Sequence, residues 1–127
     1  MASGVLKGSA VLLWTNSSPS SSFSNQTLQN ISLSGYSFLM CEYAYTTGTT
    51  TLQSTIVENG NSARLTGFHI GSVSGGNANA FMAIRYMSPD ISAGTIEFGS
   101  CTRSTITSGA ASVDNAYCIP LKIYGIY

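Results

Sequence analysis

The residues that could carry out acid–base chemistry are few in this chain. His69 is its only histidine, and it lies in the apolar run 65–70 (LTGFHI), where a histidine is usually packed or hydrogen-bonded rather than catalytic. No serine has the G-x-S-x-G spacing of a nucleophile elbow. A lone histidine and scattered acids do not form a zinc site. We therefore expect no catalytic residues, no metal and no cofactor, and predict that the protein is not an enzyme.

The five carboxylates are the groups that a glycosidase would need as a facing pair. Glu42 and Glu97 fall in apolar strand-like runs, where each is interpreted either as a buried acid paired with an arginine or as an edge residue. The candidate partners are Arg64, Arg85 and Arg103. Asp90 and Asp114 lie in turn-like contexts (SPDISAG and SVDNAY), where a turn cap is the simpler interpretation and a ligand contact the alternative.

Polar and aromatic groups in two predicted loops are better suited to binding a sugar than to catalysing a reaction. The segment 71–79 (GSVSGGNAN) is rich in glycine, contains no lysine and leads into no helix, so we interpret it as a flexible loop and not as a phosphate cradle. Amide, carboxylate and phenol groups from this segment and from 114–117 can bind hydroxyl groups and stack on sugar rings. The predicted ligand-binding residues are Asn77, Asn79, Asp114, Asn115 and Tyr117.

The amino-acid composition predicts that an all-β fold positions these groups. The 127 residues fit one domain, and a content of 43% hydrophobic and only 8% charged residues is typical of a folded chain. Threonine and aromatic residues favour strands, serine, asparagine and glycine favour turns, and strong helix formers are scarce. The formal net charge is zero, so we expect neither nucleic-acid binding nor membrane insertion, and no apolar run is long enough to span a bilayer.

Short apolar runs alternate with clusters of serine, glycine, asparagine and threonine, which is typical of a sandwich or barrel. We predict an antiparallel, jelly-roll-like β-sandwich of about eight strands over residues 9–127, preceded by a linker or shaft remnant over 1–8. The predicted strands are 10–15, 25–33, 36–45, 51–57, 63–70, 81–87, 94–101 and 117–126.

The last predicted strand has the clearest alternation, with Ile119, Leu121 and Ile123 expected on one face. Pro120 removes one backbone donor, so the strand should be an edge there, or bulged. The predicted core comprises Leu39, Cys41, Ile84, Ile96, Phe98, Ile119, Leu121 and Ile123.

An even number of full-height strands would place the longest loops together, at the end of the sandwich opposite both chain termini. That asymmetry is typical of a domain that is attached at its base and binds a partner at its tip. The loops concerned are 16–24, 46–50, 71–80 and 102–116.

The three cysteines, Cys41, Cys101 and Cys118, lie in apolar runs without metal-type spacing. We interpret them as small buried thiols in a reducing cytoplasm, with one disulfide plus a free thiol as the alternative.

The stretch 96–127 begins with IEFGSC, passes through a serine-, threonine- and glycine-rich segment to DNAY, and ends in CIPLKIYGIY. It resembles the C-terminal end of tail-fibre, neck-fibre or baseplate receptor-binding proteins of phages and prophages from Gram-positive, often gut, bacteria. LLWTN near the start and LSGYSFLMCEYAY also fit that pattern. The resemblance implies a β-sandwich at the tip of a fibre, usually trimeric, and it carries over no catalytic or binding residues.

Three functions follow as expectations. The first is a fibre tip domain that binds host cell-surface polysaccharide, joined to an upstream fibre shaft and located in the virion after synthesis in the bacterial cytoplasm. The second is a structural or decorating virion module without a host ligand, and the third is a small polysaccharide depolymerase. A homotrimer is expected because a chain with so few charges has apolar surface to cover.

Overall fold

Ten β-strands and no helix make up the part of the chain that the computed structural model describes, residues 9–48, 52–74, 77–106 and 108–127, with side chains outside 71–79. The predicted segment 1–8 lies outside the described residues. The strands are β1 (Ala10–Thr15), β2 (Gln26–Leu28), β3 (Phe38–Thr46), β4 (Leu52–Glu58), β5 (Ala63–Ser74), β6 (Asn77–Asp90), β7 (Thr95–Phe98), β8 (Thr102–Thr105), β9 (Ala111–Val113) and β10 (Tyr117–Ile126).

These strands form two antiparallel sheets. The first has the order β1-β10-β3-β4. In the second, β6 pairs with β5 along one edge and with β7 and β8 along the other, while β2 and β9 extend the sheet beside β7 and β8. This confirms the predicted all-β, antiparallel sandwich; the jelly-roll winding stays a prediction.

The core lies between the two sheets. Leu65, Ala83 and Met87 from the second sheet are fully buried with residues of the first. The predicted core residues Leu39, Cys41, Ile96, Phe98, Ile119 and Ile123 are confirmed as buried. The other two, Ile84 and Leu121, are half-buried.

A bulge in β10 explains the half-burial of Leu121. The register with β3 shifts between Pro120 and Lys122, which confirms the predicted bulge at the proline. A bulge interrupts the two-residue alternation of a strand. Ile119 lies opposite Ala44 and Ile123 opposite Cys41, and both are fully buried in the core, whereas the register skips Leu121.

The segment 71–79, predicted as a loop, mostly continues β5 and β6. Backbone pairing runs through Val73 with Ala78 to Ser74 with Asn77, because a partner strand satisfies the amides of polar residues as well as those of apolar ones. The predicted loop 102–116 likewise contains β8 and β9. Conversely, the predicted strand 25–33 is reduced to β2, and Asn30 beyond it has a left-handed φ of 58° that ends the extended backbone.

The strand ends define what we call the distal end of the sandwich. There β3 ends opposite the start of β10, β5 ends opposite the start of β6, and β8 ends beside Phe81. Ala10 and Ile126, each one residue from a described end of the chain, pair with each other at the opposite end. The connection between β2 and β3 also lies at that opposite end, so the longest connections do not all gather at the distal end as predicted.

Within the described residues, no helix is long and apolar enough to cross a membrane.

Candidate functional site

The segment 114–117 joins β9 to β10 and contains three of the predicted ligand-binding residues. Asp114 Oδ1 accepts a hydrogen bond from Ala116 N at 3.2 Å, and Asn115 Oδ1 accepts one from Cys101 N at 2.9 Å. Both side chains are half-buried. They shape the turn, which supports the turn interpretation of Asp114, and they place Tyr117 at the start of β10.

The other two predicted residues, Asn77 and Asn79, lie on β6. Asn77 pairs with Ser74 through the backbone. Their side chains lie outside the described atoms, so their part in binding stays a prediction.

A groove lies beside the segment 114–117. One of the residues that line the groove, Phe23, donates a hydrogen bond from its backbone N to Asn115 O in that segment, at 2.9 Å. The cavity has a volume of about 240 Å³. We call it the Trp14 groove, and it is lined by Trp14, Thr15, Asn16, Ser17, Ser18, Ser22, Phe23, Gln26 and Leu28.

Aromatic packing and one asparagine build this groove. The half-buried Trp14 ring lies edge-on to Phe23, with centroids 6.1 Å apart, and 6.2 Å from Phe98. The buried Asn16 donates from Nδ2 to Pro120 O at 2.8 Å and accepts at Oδ1 from Ser18 N at 2.8 Å. The start of the serine-rich connection is thus anchored to the bulge in β10.

The chemistry of the Trp14 groove is that of an uncharged, hydroxyl-rich ligand site. Hydroxyl and amide groups can both donate and accept hydrogen bonds, and an aromatic ring offers an apolar face. No charged side chain is among the described residues that line the groove. Its volume lies below the roughly 300–1,000 Å³ of drug-sized pockets, which suits a small ring more than a large ligand.

On the other flank of the segment 114–117, at the distal end, five half-buried side chains meet between the sheets. Tyr45 and Tyr117 pack edge to face at 5.2 Å, and the Tyr45 hydroxyl shares a 2.5 Å hydrogen bond with His69 Nδ1. The His69 ring stacks on Phe81 at 5.1 Å. The guanidinium carbon of Arg103 lies 4.0 Å from the centroid of the Phe81 ring and 5.1 Å from that of Tyr117. We call this set the aromatic cluster.

A glycine on β5, Gly67, makes room for the cluster. A Cβ at position 67 would overlap the Tyr45 ring, so only glycine fits on β5 at this point.

Burial, reinforced by Tyr117 and opposed by Arg103, raises the pKa of Tyr45 to about 12. Tyr45 therefore remains an uncharged phenol near neutral pH. The hydrogen bond and ring stack of His69 support the packed role predicted for it.

Arg85, on β6 of the second sheet, fixes the start of β10 in the first sheet. It is fully buried on β6 and donates from Nε to Cys118 O at 2.9 Å, from Nη1 to Gly99 O at 2.7 Å and from Nη2 to Tyr117 O at 3.1 Å. Cys118 has a left-handed φ of 48°, a conformation that costs energy for a residue with a Cβ. Because Arg85 joins the two sheets here, it holds Tyr117 in place.

The arginines thus differ from the predicted acid pairs. All three lie over aromatic rings, and Arg85 in addition bonds to carbonyl oxygens. Glu97 is exposed and Glu42 is half-buried opposite Lys122, so the interpretation of Glu97 as a buried acid was wrong. The positive charges of these arginines are therefore stabilised by aromatic rings and carbonyl oxygens and not by carboxylates.

Two further expectations are confirmed. Cys41, Cys101 and Cys118 are buried free thiols, and burial raises the pKa of Cys41 above its ordinary range. Asp90 caps a turn by accepting hydrogen bonds from Ala93 N and Ser92 Oγ, and these bonds lower the pKa of its carboxyl.

A second, larger depression of about 510 Å³ lies between β4 and β5. Tyr43 at its floor donates its hydroxyl hydrogen to Thr66 O at 2.7 Å. Exposed Phe68 and Met82 contribute to its lining, which is more apolar than that of the Trp14 groove. We therefore take the Trp14 groove as the candidate ligand site.

No known protein family, curated protein or solved structure matches the chain. In the described part, no three or more histidine, cysteine, aspartate or glutamate side chains are grouped so as to hold a metal ion.

Sequence reasoning missed the Trp14 groove and the part played by Arg103. The available signal for the groove was a single tryptophan followed directly by a run of threonine, asparagine and serine (TNSSPSSS). Gln26 and Leu28 join this run only through the fold, because β2 belongs to the other sheet.

Proposed function

We propose that this domain binds a cell-surface saccharide through the Trp14 groove and serves as the tip domain of a phage fibre. The observation that carries the proposal is a pair of aromatic rings, Trp14 and Phe23, set among uncharged hydroxyl and amide side chains in a small cavity. Sugars present both hydroxyl groups and apolar ring faces, and this lining complements both.

The fibre assignment is supported by two features. The sequence resemblance of 96–127 to phage receptor-binding proteins covers β10, on whose bulge the groove is anchored through Asn16. In addition, β1 runs from the end of the sandwich that holds Ala10 and Ile126 towards the groove. A shaft attached before Ala10 would leave the groove accessible to a cell surface.

We also propose that the domain works as a homotrimer. Large apolar side chains are exposed on the outer face of the first sheet, among them Leu12, Phe38 and Ile56. A closed symmetric interface is the common way to cover such a face, and three copies would add avidity for a repetitive polysaccharide.

Fluorescently labelled protein applied to a panel of Gram-positive bacteria tests the proposed function. We expect staining of some strains that is lost when their wall polysaccharide is removed enzymatically. A double variant Ser22→Ala/Gln26→Ala in the groove should lose staining. The matched variant Gln29→Ala/Ser32→Ala changes the same residue types at exposed positions outside the groove and should keep it.

Each contrary result has a definite meaning. Staining that survives removal of the polysaccharide would contradict a saccharide receptor. Staining of no strain by the wild-type protein would favour a structural or decorating virion module. Release of sugar fragments from purified wall polysaccharide would favour a depolymerase.

A further inference from the structure

The strands at the edges of the two sheets differ in how well their free backbone groups are protected. In the second sheet, the outermost strands β2 and β9 have only three residues each. The edge of β5 is partly occupied by the chain itself, because the Tyr43 hydroxyl donates to Thr66 O at 2.7 Å and accepts from Thr66 N at 3.2 Å. The register of β5 with β6 is also broken between Ile70 and Val73. Short strands, bulges and covered backbone groups keep an edge strand from pairing with another chain.

The two edges of the first sheet lack this protection over much of their length. In the described part of the chain, β4 pairs only with β3, in a register that is unbroken from Leu52 to Glu58. At the other edge β1 pairs only with β10, and its stretch 10–12 precedes the bulge. Neither strand contains a proline, a lysine or an arginine. Each edge therefore presents unpaired backbone N–H and C=O groups, which are a template for pairing with another chain.

The two edges are complementary to each other. All neighbouring strands of this four-stranded sheet are antiparallel, so β1 and β4 run in opposite directions. When two copies stand side by side in the same orientation, β4 of one copy can pair antiparallel with β1 of the other. An apolar row crosses the outer face of the sheet and ends at the two edges in the exposed side chains of Leu12 and Ile56. Pairing of the edges would continue this row from one copy into the next.

We infer that β4 of each copy pairs with β1 of the next copy around a threefold axis, an inference that rests on the homotrimer proposed above. A contact between two different surfaces closes into a ring when the rotation between copies allows it, and a closed sheet has no free edges. The outer faces of the three first sheets then line the inside of the ring, where the apolar row is shielded from water. The lining of the Trp14 groove begins beyond the bulge in β1, so pairing through 10–12 leaves the groove accessible.

Cysteine cross-linking of the full chain tests the inference. The native thiols are buried, so cysteines at the exposed positions 12 and 56 are the ones that copper phenanthroline in air can join. Side chains opposite each other on paired strands lie about 4.5–5.5 Å apart between Cβ atoms, close enough for a disulfide. In Leu12→Cys/Ile56→Cys we expect linked trimers on a non-reducing denaturing gel. Each single variant should stay unlinked, because the two edges that meet are different.

Two further variants make the cross-linking specific. Ala10→Cys/Ile56→Cys covers a register shift of two residues, which keeps the side chains on the same face, and linked trimers in either double variant support the inference. Leu12→Cys/Phe68→Cys is the control, since Phe68 is equally exposed but lies on β5 of the second sheet, and it should stay unlinked.

Backbone hydrogen exchange gives a second measurement that needs no added cysteine. A strand that is paired on both sides has no free amides, so 10–12 and 52–58 should exchange about tenfold or more slowly in the wild type than in the monomeric variant Ile56→Lys. Amides of β9, which lies in the second sheet, should exchange equally in both proteins.

The contrary results separate this inference from the trimer itself. A wild-type monomer in light scattering would contradict the proposed homotrimer and the edge pairing together. A wild-type trimer in which neither double variant of positions 10, 12 and 56 is linked would overturn the edge pairing alone. Linked dimers in a single variant would overturn it as well, because two identical edges would then meet.

Discussion

Arg85 is the residue on which the geometry of the site depends most. Its guanidinium is fully buried, and burial lowers its pKa, yet arginine stays protonated at any pH at which proteins are studied. Three backbone carbonyls take the place of a carboxylate partner. They belong to Gly99, Tyr117 and Cys118, so one side chain ties the bend between β7 and β8 to the first residues of β10.

Replacing this side chain should therefore destabilise the whole domain. Arg85→Met keeps much of the volume but leaves one buried and two part-buried carbonyls without their donor, and a fully buried carbonyl without a donor costs about 1–3 kcal/mol. We expect urea denaturation to show a loss of about 3 kcal/mol or more in the free energy of unfolding. Arg64→Met, at an exposed position, should stay within about 0.5 kcal/mol of the wild type, and equal losses in the two variants would contradict this role of Arg85.

At the scale of the element, the bulge in β10 separates residues that look equivalent in sequence. Ile123 is fully buried and pairs opposite Cys41, whereas Leu121 is skipped by the register with β3 and is half-buried. Its carbonyl accepts a hydrogen bond from Asn16 N at 2.8 Å, so the bulge also anchors the serine-rich connection.

Truncating these two side chains should have unequal effects. Ile123→Ala should cost about 2–5 kcal/mol, which is typical of a fully buried aliphatic residue, and Leu121→Ala only about 1–2 kcal/mol, because part of its surface is already in water. Chemical denaturation of both variants measures the difference. A larger loss for Leu121→Ala would mean that β10 packs with the regular alternation.

The elements also show what could be predicted from the sequence. β1 and β10 were predicted with their observed bounds, since compact apolar runs flanked by polar segments mark them. β8 and β9 were missed because their polar sequences form strands here only through pairing, β8 with β6 and β9 with β8.

The candidate site was not predicted from the sequence, for a similar reason. The predicted residues Asp114, Asn115 and Tyr117 are not among the described residues that line the Trp14 groove, and Tyr117 lies in the aromatic cluster instead. The Trp14 groove depends on contacts between distant segments, such as Asn16 with Pro120 and Phe23 with Asn115. A single sequence gives no sign of such contacts.

For the whole molecule, the outer face of the first sheet is the notable feature, because apolar side chains are exposed there. Directly paired residues share a face of a sheet. Leu12, Tyr124, Met40 and Ile56 therefore form one apolar row across β1, β10, β3 and β4. Ile56 is 60% exposed and Leu12 51%. Soluble monomers rarely expose continuous apolar rows of this kind.

Light scattering checks the proposed homotrimer. The chain mass is 13.3 kDa, and we expect a species of three times that mass. Ile56→Lys should shift the protein to monomer and leave the domain folded, because the side chain is 60% exposed and contributes little to the core. Gln29→Lys, at an exposed position on the connection after β2, is the control. A clean wild-type monomer at high micromolar concentration would contradict trimerisation by the domain itself.

The central claim, that the Trp14 groove binds saccharide, is tested most directly by tryptophan fluorescence. Trp14 is the only tryptophan in the chain, so a change in emission reports on this groove. Titration with soluble wall polysaccharide from a strain that the labelled protein stains should change the emission saturably. The change should be lost in Ser22→Ala/Gln26→Ala and kept in Gln29→Ala/Ser32→Ala. Calorimetric binding of the same polysaccharide that leaves the Trp14 emission unchanged, with equal affinity in both double variants, would contradict the claim.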